Sequence, residues 1–275
     1  MTKDVFTQML SRYPLDNADA RRNATYEVLQ QVVLSGLYRG GFFHEAAFYG
    51  GTCLRIFHGL ERFSEDMDFT LLRKDSSFTM EKFFPAIIEE CRLLGREVEI
   101  TLKDKQSFGK VESAFLKDTT DVYNLSFQTE KSVKIKIEVD TKPPLVFETE
   151  EKLLLHPFSF MTRCLTLPNL FAGKMHALVF RQWKNRVKGR DWYDFEWYVR
   201  NGVPLNFAHL HVRIMEFNGM DVSVEKFVEL LKERIASADI NQVKNDVRPF
   251  LKSQTDLDIW SNEYFLQLAD MIKIE

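Results

Sequence analysis

The spacing of apolar residues changes along the chain, and each change predicts a different element. Between Ala20 and Tyr38, the residues Tyr26, Leu29, Val33 and Leu37 fall on one helical stripe that stops at Gly40-Gly41, so the spacing predicts a helix. Ala46-Ala47-Phe48-Tyr49 is a short apolar run broken by a glycine pair, the pattern of a buried strand ending in a tight turn. Leu54, Phe57 and His58 then suggest a short helix. From Asp66 to Leu71 polar and apolar residues alternate, which is the period of a strand and places Asp66 and Asp68 on one side. An amphipathic helix over Thr79 to Leu94 and strands over 97–102, 123–129 and 134–139 follow, the last closed by Pro143-Pro144. Beyond Phe158 the strand signals fade, and helical spacing governs 170–186, 192–200, 224–235 and 262–272.

This order predicts an α+β architecture: residues 1–157 as a mixed sheet with flanking and N-terminal helices, and residues 158–275 as a helical part that completes the site. With 275 residues, of which 45% are apolar, the chain can fill a substantial core. Its 37 basic and 40 acidic residues nearly cancel, so a polyanion would have to be held by a local site rather than by the field of the whole molecule. Cys53, Cys91 and Cys164 match neither a zinc nor a disulfide pattern, and free buried thiols in a reducing cytoplasm are expected. Met-Thr-Lys-Asp-Val opens no signal segment, and no stretch approaches the ~20 apolar residues that span a bilayer. The expectation is a cytoplasmic protein with no membrane partner. Apart from His209-x-His211, the six histidines show no ligand spacing.

Candidate chemistry concentrates in three places. Gly50-Gly51-Thr52 precedes a helix, where glycines allow close backbone approach and a hydroxyl and free N–H groups can bind phosphate oxygens. An ordinary turn with Thr52 as N-cap fits the same residues. Asp66 and Asp68, at i and i+2 on a strand, project together and repel unless a cation or proton is shared, which suits Mg²⁺ bound with a nucleotide. Lys134, Lys136, Glu138 and Asp140 form the polar face of an alternating strand. If that strand lies beside Asp66–Asp68, Glu138 completes a three-carboxylate site, with Asp140 as its competitor. Arg62 either assists a phosphate or pairs with Glu65 or Asp66. Arg181, Lys184, Arg186, Lys188 and Arg190, interleaved with Trp183, could track a phosphate backbone or complement a helix dipole. The aromatic group Trp192, Tyr193, Phe195, Trp197 and Tyr198 reads as helix packing.

The run from Phe48 to Phe69, with Gly-Gly-Thr and Arg-Phe-Ser-Glu-Asp-x-Asp-Phe, resembles the signature of the AbiEii/AbiGii nucleotidyltransferase toxins. Lys174-Met-His-Ala-Leu-Val-Phe-Arg and Gly189-Arg-Asp-Trp-Tyr-Asp are similar to that family's second block, and the matches run from about residue 25 to 200. The resemblance implies a polymerase-β-like fold, with Gly50, Gly51 and Thr52 gripping nucleotide phosphates and Asp66 and Asp68 binding metal. Glu138 would be the third acid, Lys174 a phosphate contact, and Asp191 a catalytic or structural acid, although Asp191 also has the spacing to cap the helix that follows it. Thr52 stands where many nucleotidyltransferases have Ser.

The resemblance further implies transfer of a nucleotidyl group from an NTP to a hydroxyl acceptor with Mg²⁺, or Mn²⁺ in its place. The basic run favours an RNA acceptor such as a tRNA 3′ end, and a cognate antitoxin is the implied protein partner. A nucleotide- or antitoxin-binding module without turnover and a kinase-like phosphotransferase are the alternatives.

Overall fold

A computed structural model describes residues 4–102, 120–127, 133–181, 187–253 and 255–275. Helix α1 (Val5–Leu10) leads to α2 (Ala18–Arg39), which begins where the Asn17 side chain accepts from the Ala20 N–H and ends at Gly40. Strand β1 (Ala46–Tyr49) runs directly into α3 (Gly50–His58), and β2 (Met67–Leu71) returns beside it. After α4 (Phe84–Leu93) come β3 (Val98–Leu102), β4 (Thr120–Phe127), β5 (Val133–Asp140), β6 (Thr149–Leu154) and β7 (Phe160–Leu165). The rest is helical: α5 (Leu167–Phe180), α6 (Gly189–Arg200), α7 (Phe207–Asn218), α8 (Val224–Ala236), α9 (Ile240–Val247) and α10 (Asn262–Asp270).

Among the described residues the strands form one sheet in the order β3-β4-β5-β2-β1-β7-β6. It is mixed: β2 pairs with β5 and β1 with β7 in parallel, and the other neighbours are antiparallel. The predicted α+β class holds. The sheet, however, continues past Phe158, because the β6–β7 hairpin straddles the expected boundary at 157/158 and the helices start only at Leu167. These two strands escaped the pattern for different reasons. β6 is an edge strand rich in charge (Thr-Glu-Glu-Lys), whereas β7 carries the alternation Phe160, Thr162, Cys164 inward in a segment that also holds Arg163. Helix α5 stops at Phe180, short of the predicted Arg186, and residues 182–186, with Trp183, Lys184 and Arg186, lie outside the described residues. The same holds for the predicted strand end at 128–129. Helices α1, α7 and α9 were not foreseen.

Helix α2 is buried on more than its expected stripe, because it packs on α4 as well as on β5 and β7. At Gly36 a Cβ atom would sit 2.6 Å from the Ile87 Cα, so glycine permits that close crossing. A second close crossing locks the helical part together. A Cβ on Gly189 would lie 2.1 Å from the Val243 carbonyl oxygen, and the Gly189 N–H donates to Asp246 Oδ2 at 2.8 Å. Further along the chain, Glu196 accepts from the Trp260 Nε1–H at 2.8 Å and from the Tyr264 hydroxyl at 2.7 Å. The Phe63 N–H donates to the Phe250 carbonyl at 2.8 Å, tying the loop before β2 to the C-terminal helices. The three cysteines are free and buried. Among the described residues no helix is long and apolar enough to cross a membrane.

Candidate active site

Strand register builds one row of side chains across the sheet. Tyr49 of β1 pairs with Asp68 of β2, and Asp68 pairs in parallel with Glu138 of β5, so neighbouring residues in the row share a face. Asp66 immediately precedes β2. All four residues line a cleft of about 240 Å³ between the sheet and helices α5, α6 and α7. Burial, then Glu138, then Asp66, push the Asp68 carboxyl up to about 7, with Lys188 and Lys136 pulling the other way. Lys136 Nζ lies 2.5 Å from Glu138 Oε1. Burial opposes the charge of this lysine, yet Glu138, Asp66 and Asp68 hold its ammonium above the usual range. Asp140, the alternative third acid, does not line the cleft and instead accepts from the Lys142 N–H at 3.0 Å.

The glycine pair is required by this crowding. Gly50 has φ of 79°, a conformation that disfavours side chains, and a Cβ there would meet Asp68 Oδ2 at 2.2 Å. A Cβ on Gly51 would meet Arg62 Nη2 at 2.5 Å and Ser64 Oγ at 3.0 Å. Tyr49 occupies the N-cap position of α3 and makes no side-chain cap, so the first N–H groups of that helix have no intrahelical partner, and Gly50 and Gly51 line the cleft. Thr52 is therefore inside the helix, not its N-cap. It also turns away from the cleft: fully buried, its hydroxyl donates to the carbonyl of Asp66 and lies 2.9 Å from Ser64 Oγ.

The loop that delivers Asp66 is held from several sides. The Gln30 amide of α2 donates to the carbonyls of Ser64 and Glu65, each at 3.0 Å, and Arg55 donates to the carbonyls of Leu60, Glu61 and Arg62. Loop carbonyls that no strand can pair, most of them buried or partly buried, are thereby satisfied. Arg62 lines the cleft but does not pair with Glu65 or Asp66. It is buried, and its guanidinium forks onto Asp194 at 2.5 and 2.7 Å.

The helix side of the cleft is ion-paired. Lys174 of α5 reaches Asp191 at 2.7 Å and Asp194 at 2.8 Å, and Arg181 lies 3.6 Å from Asp191. Burial opposes the Asp191 charge, but Lys174, Arg181 and Lys188 hold the carboxyl well below the usual aspartate range. Arg62 and Lys174 do the same for Asp194. Asp191 sits in the first turn of α6, with Lys188 rather than Asp191 at the N-cap position. Burial, then the neighbouring Arg181, lower Lys188 to about 8. Arg190 lies over the Phe250 ring at 4.2 Å. Among the described residues the cleft is lined by seven cations (Arg62, Lys136, Lys174, Arg181, Lys188, Arg190, Arg213) and four acids (Asp66, Asp68, Glu138, Asp191), so it suits a polyanion in a molecule whose charges otherwise nearly cancel.

A sequence profile described as the nucleotidyl transferase AbiEii toxin of type IV toxin–antitoxin systems matches residues 32–267. The chain belongs to the AbiEii family. Two solved structures share its fold at low identity. One is the JHP933 protein of Helicobacter pylori, with 18% identity and TM-score 0.54, covering 90% of this chain and 89% of that one. The other is MenT4, a nucleotidyltransferase toxin of Mycobacterium tuberculosis H37Rv, with 16% identity and TM-score 0.54, covering 96% and 93%. Comparison with curated proteins finds no match. As an AbiEii member the chain is a nucleotidyltransferase toxin.

Within this AbiEii fold the residues suit a hard divalent cation. Asp66 and Asp68 offer carboxylate oxygens at one end of the cleft, where burial and then the neighbouring acids raise the Asp68 carboxyl, and Gly50 keeps the space beside Asp68 open. Among the described residues no three His, Cys, Asp or Glu side chains converge as a complete cation site, and Glu138 is engaged by Lys136. Two carboxylates completed by substrate phosphates is the usual Mg²⁺ arrangement. Sequence reasoning assigned no chemistry to Tyr49 or Arg213, both in the cleft. Arg213 lies on the unforeseen α7, whose start at Asn206 and stop at Gly219 were its available signals.

Proposed function

We propose that this toxin transfers a nucleoside monophosphate from an NTP to the 3′-hydroxyl of an RNA, a tRNA end in particular, releasing pyrophosphate. The observation that carries the reading is the row of Asp68 and Glu138 beside Asp66, facing a cation-rich helix wall across one cleft. Asp66 and Asp68 would hold Mg²⁺, or Mn²⁺ in its place. When bound, that ion supplies neutralisation of the triphosphate charge and lowers the pKa of a coordinated hydroxyl.

The N–H groups of Gly50 and Gly51 at the α3 start and the ammonium of Lys188 grip the triphosphate. Glu138 takes the proton of the acceptor hydroxyl, whose oxygen bonds to the α-phosphorus as the bond to the pyrophosphate oxygen breaks. Lys174, set between Asp191 and Asp194, holds positive charge at the cleft wall, while Arg62 and Thr52 fix the loop that carries Asp66. Most of the acceleration comes from positioning and charge neutralisation. The setting is a cytoplasmic toxin–antitoxin or phage-defence pair with a cognate antitoxin.

The test incubates the full chain with α-labelled NTPs, Mg²⁺ and total RNA. Labelled RNA and released pyrophosphate are expected, both lost in Asp66→Ala and Asp68→Ala. Equal labelling by these variants overturns the reading. NTP binding without turnover points to a binding module, and ADP release to a kinase-like transfer.

A further inference from the structure

Arg213 projects from α7 into the cleft, and the assignments above leave it without a role. Its Nε is fully buried and has no hydrogen-bond partner, and among the described residues no carboxylate lies within ion-pair distance of its guanidinium. Glu216, one turn further along α7, is engaged by Lys74 at 2.8 Å. The side chain rests over the Phe217 ring at 5.2 Å, an apolar support that fixes its direction without neutralising it. Burial holds its pKa below the usual arginine range, with Tyr49 and Asp140 acting against that and Arg181 adding to it. A half-buried arginine whose Nε has no partner and which is in no ion pair among the described residues leaves hydrogen-bonding capacity and charge for an anion that arrives in the cleft.

The position of Arg213 indicates which anion. Of the triphosphate grip, Lys188 is surrounded by Arg181, Asp191, Arg190 and Lys174. Arg213 shares Arg181 as a neighbour but also lies near Tyr49 and Asp140, and Tyr49 pairs in register with Asp68, which pairs with Glu138. It thus borders the row that holds Glu138, where the acceptor hydroxyl meets its base. Its planar fork suits two oxygens of one phosphate.

We infer that Arg213 binds the phosphodiester adjacent to the acceptor's terminal hydroxyl, and so selects acceptors that carry a phosphate beside the reacting group. This rests on the nucleotidyl-transfer reading and deepens it. The same fork could hold a phosphate of the NTP, and the experiment separates the two sources.

Full-length wild type, Arg213→Ala and Arg213→Lys are compared in three measurements: calorimetric binding of a non-hydrolysable NTP with Mg²⁺, anisotropy binding of a 5′-fluorescein single-stranded RNA with a free 3′-hydroxyl, and the KM and kcat for RNA labelling. Arg213→Ala is expected to weaken RNA binding and raise the RNA KM by about tenfold or more, while NTP affinity and kcat stay within about twofold. Its dependence of RNA affinity on log salt is expected to fall by about 0.7. Arg213→Lys, which keeps the charge and loses the fork, is expected to recover part of the RNA affinity. A loss of NTP affinity with RNA affinity unchanged overturns the inference and moves Arg213 to the triphosphate. Unchanged RNA and NTP binding in Arg213→Ala also overturns it. Thermal unfolding checks the fold, and Arg213→Lys carries the RNA comparison if the alanine variant unfolds. If wild type labels no RNA but the RNA binding defect appears, the transfer reading fails and the phosphate site stands.

Discussion

On the strand side of the cleft Asp66, Asp68 and Glu138 crowd like charge against like, with Lys136 as the close counter-ion. On the helix side Arg62, Lys174 and Arg181 meet Asp191 and Asp194 in pairs. One wall is electrostatically incomplete, and on the other these pairs form a closed set, with Lys188 and Arg213 standing outside it. An incomplete wall gains by binding something, so substitutions there act on affinity and rate. A closed wall is part of the fold, and removing one member leaves its partner charged and buried.

The sharpest way to break this contrast is Asp194→Asn, which strips the buried Arg62 and Lys174 of a shared carboxylate. The expected cost is about 3–5 kcal/mol of stability, on the order of a 10 °C fall in Tm, read by calorimetry. A Tm change under ~2 °C would mean that the helix wall is not a structural frame. On the strand side, Gly50→Ala forces a Cβ into the space of Asp68 and is expected to cost about 100-fold in kcat/KM while lowering stability by only ~1–2 kcal/mol. Equal activity would show that Asp68 need not stay where the strand places it.

The smallest effect concerns pH. Lys188, lowered to about 8, is charged below that value and neutral above it, so its grip on a triphosphate is present at pH 7 and lost as pH rises toward 9. NTP affinity is expected to fall roughly tenfold over that range by calorimetric titration, and to fall much less in Lys188→Arg. A flat wild-type profile would remove Lys188 from the triphosphate site.

The strand wall was legible in the sequence because its signals are local. A glycine pair after a short apolar run, Asp-x-Asp at strand period and the alternating Lys134–Asp140 segment all fall within single elements, and only the β2–β5 pairing remained conditional. The helix wall was half legible. Lys174 and Asp191 stood out, but the partner of Arg62 lies 132 residues away, and no periodicity links positions so distant. Thr52 shows a further limit: residue type suggested a hydroxyl for phosphate, while the direction of the side chain, set by the helix starting at Gly50, sends it to the carbonyl of Asp66. Arg213 was hidden because its helix was.

The crossing at Gly189 gives the C-terminal helices leverage over a reaction in which they supply no atom. Helix α6 carries Asp191 and Asp194, and its first residue is seated on Val243 and Asp246 so closely that only hydrogen fits between. The Phe63–Phe250 hydrogen bond ties the Asp66 loop to the same support. A side chain at position 189 would therefore push the first turn of α6, and with it Asp191, away from α9.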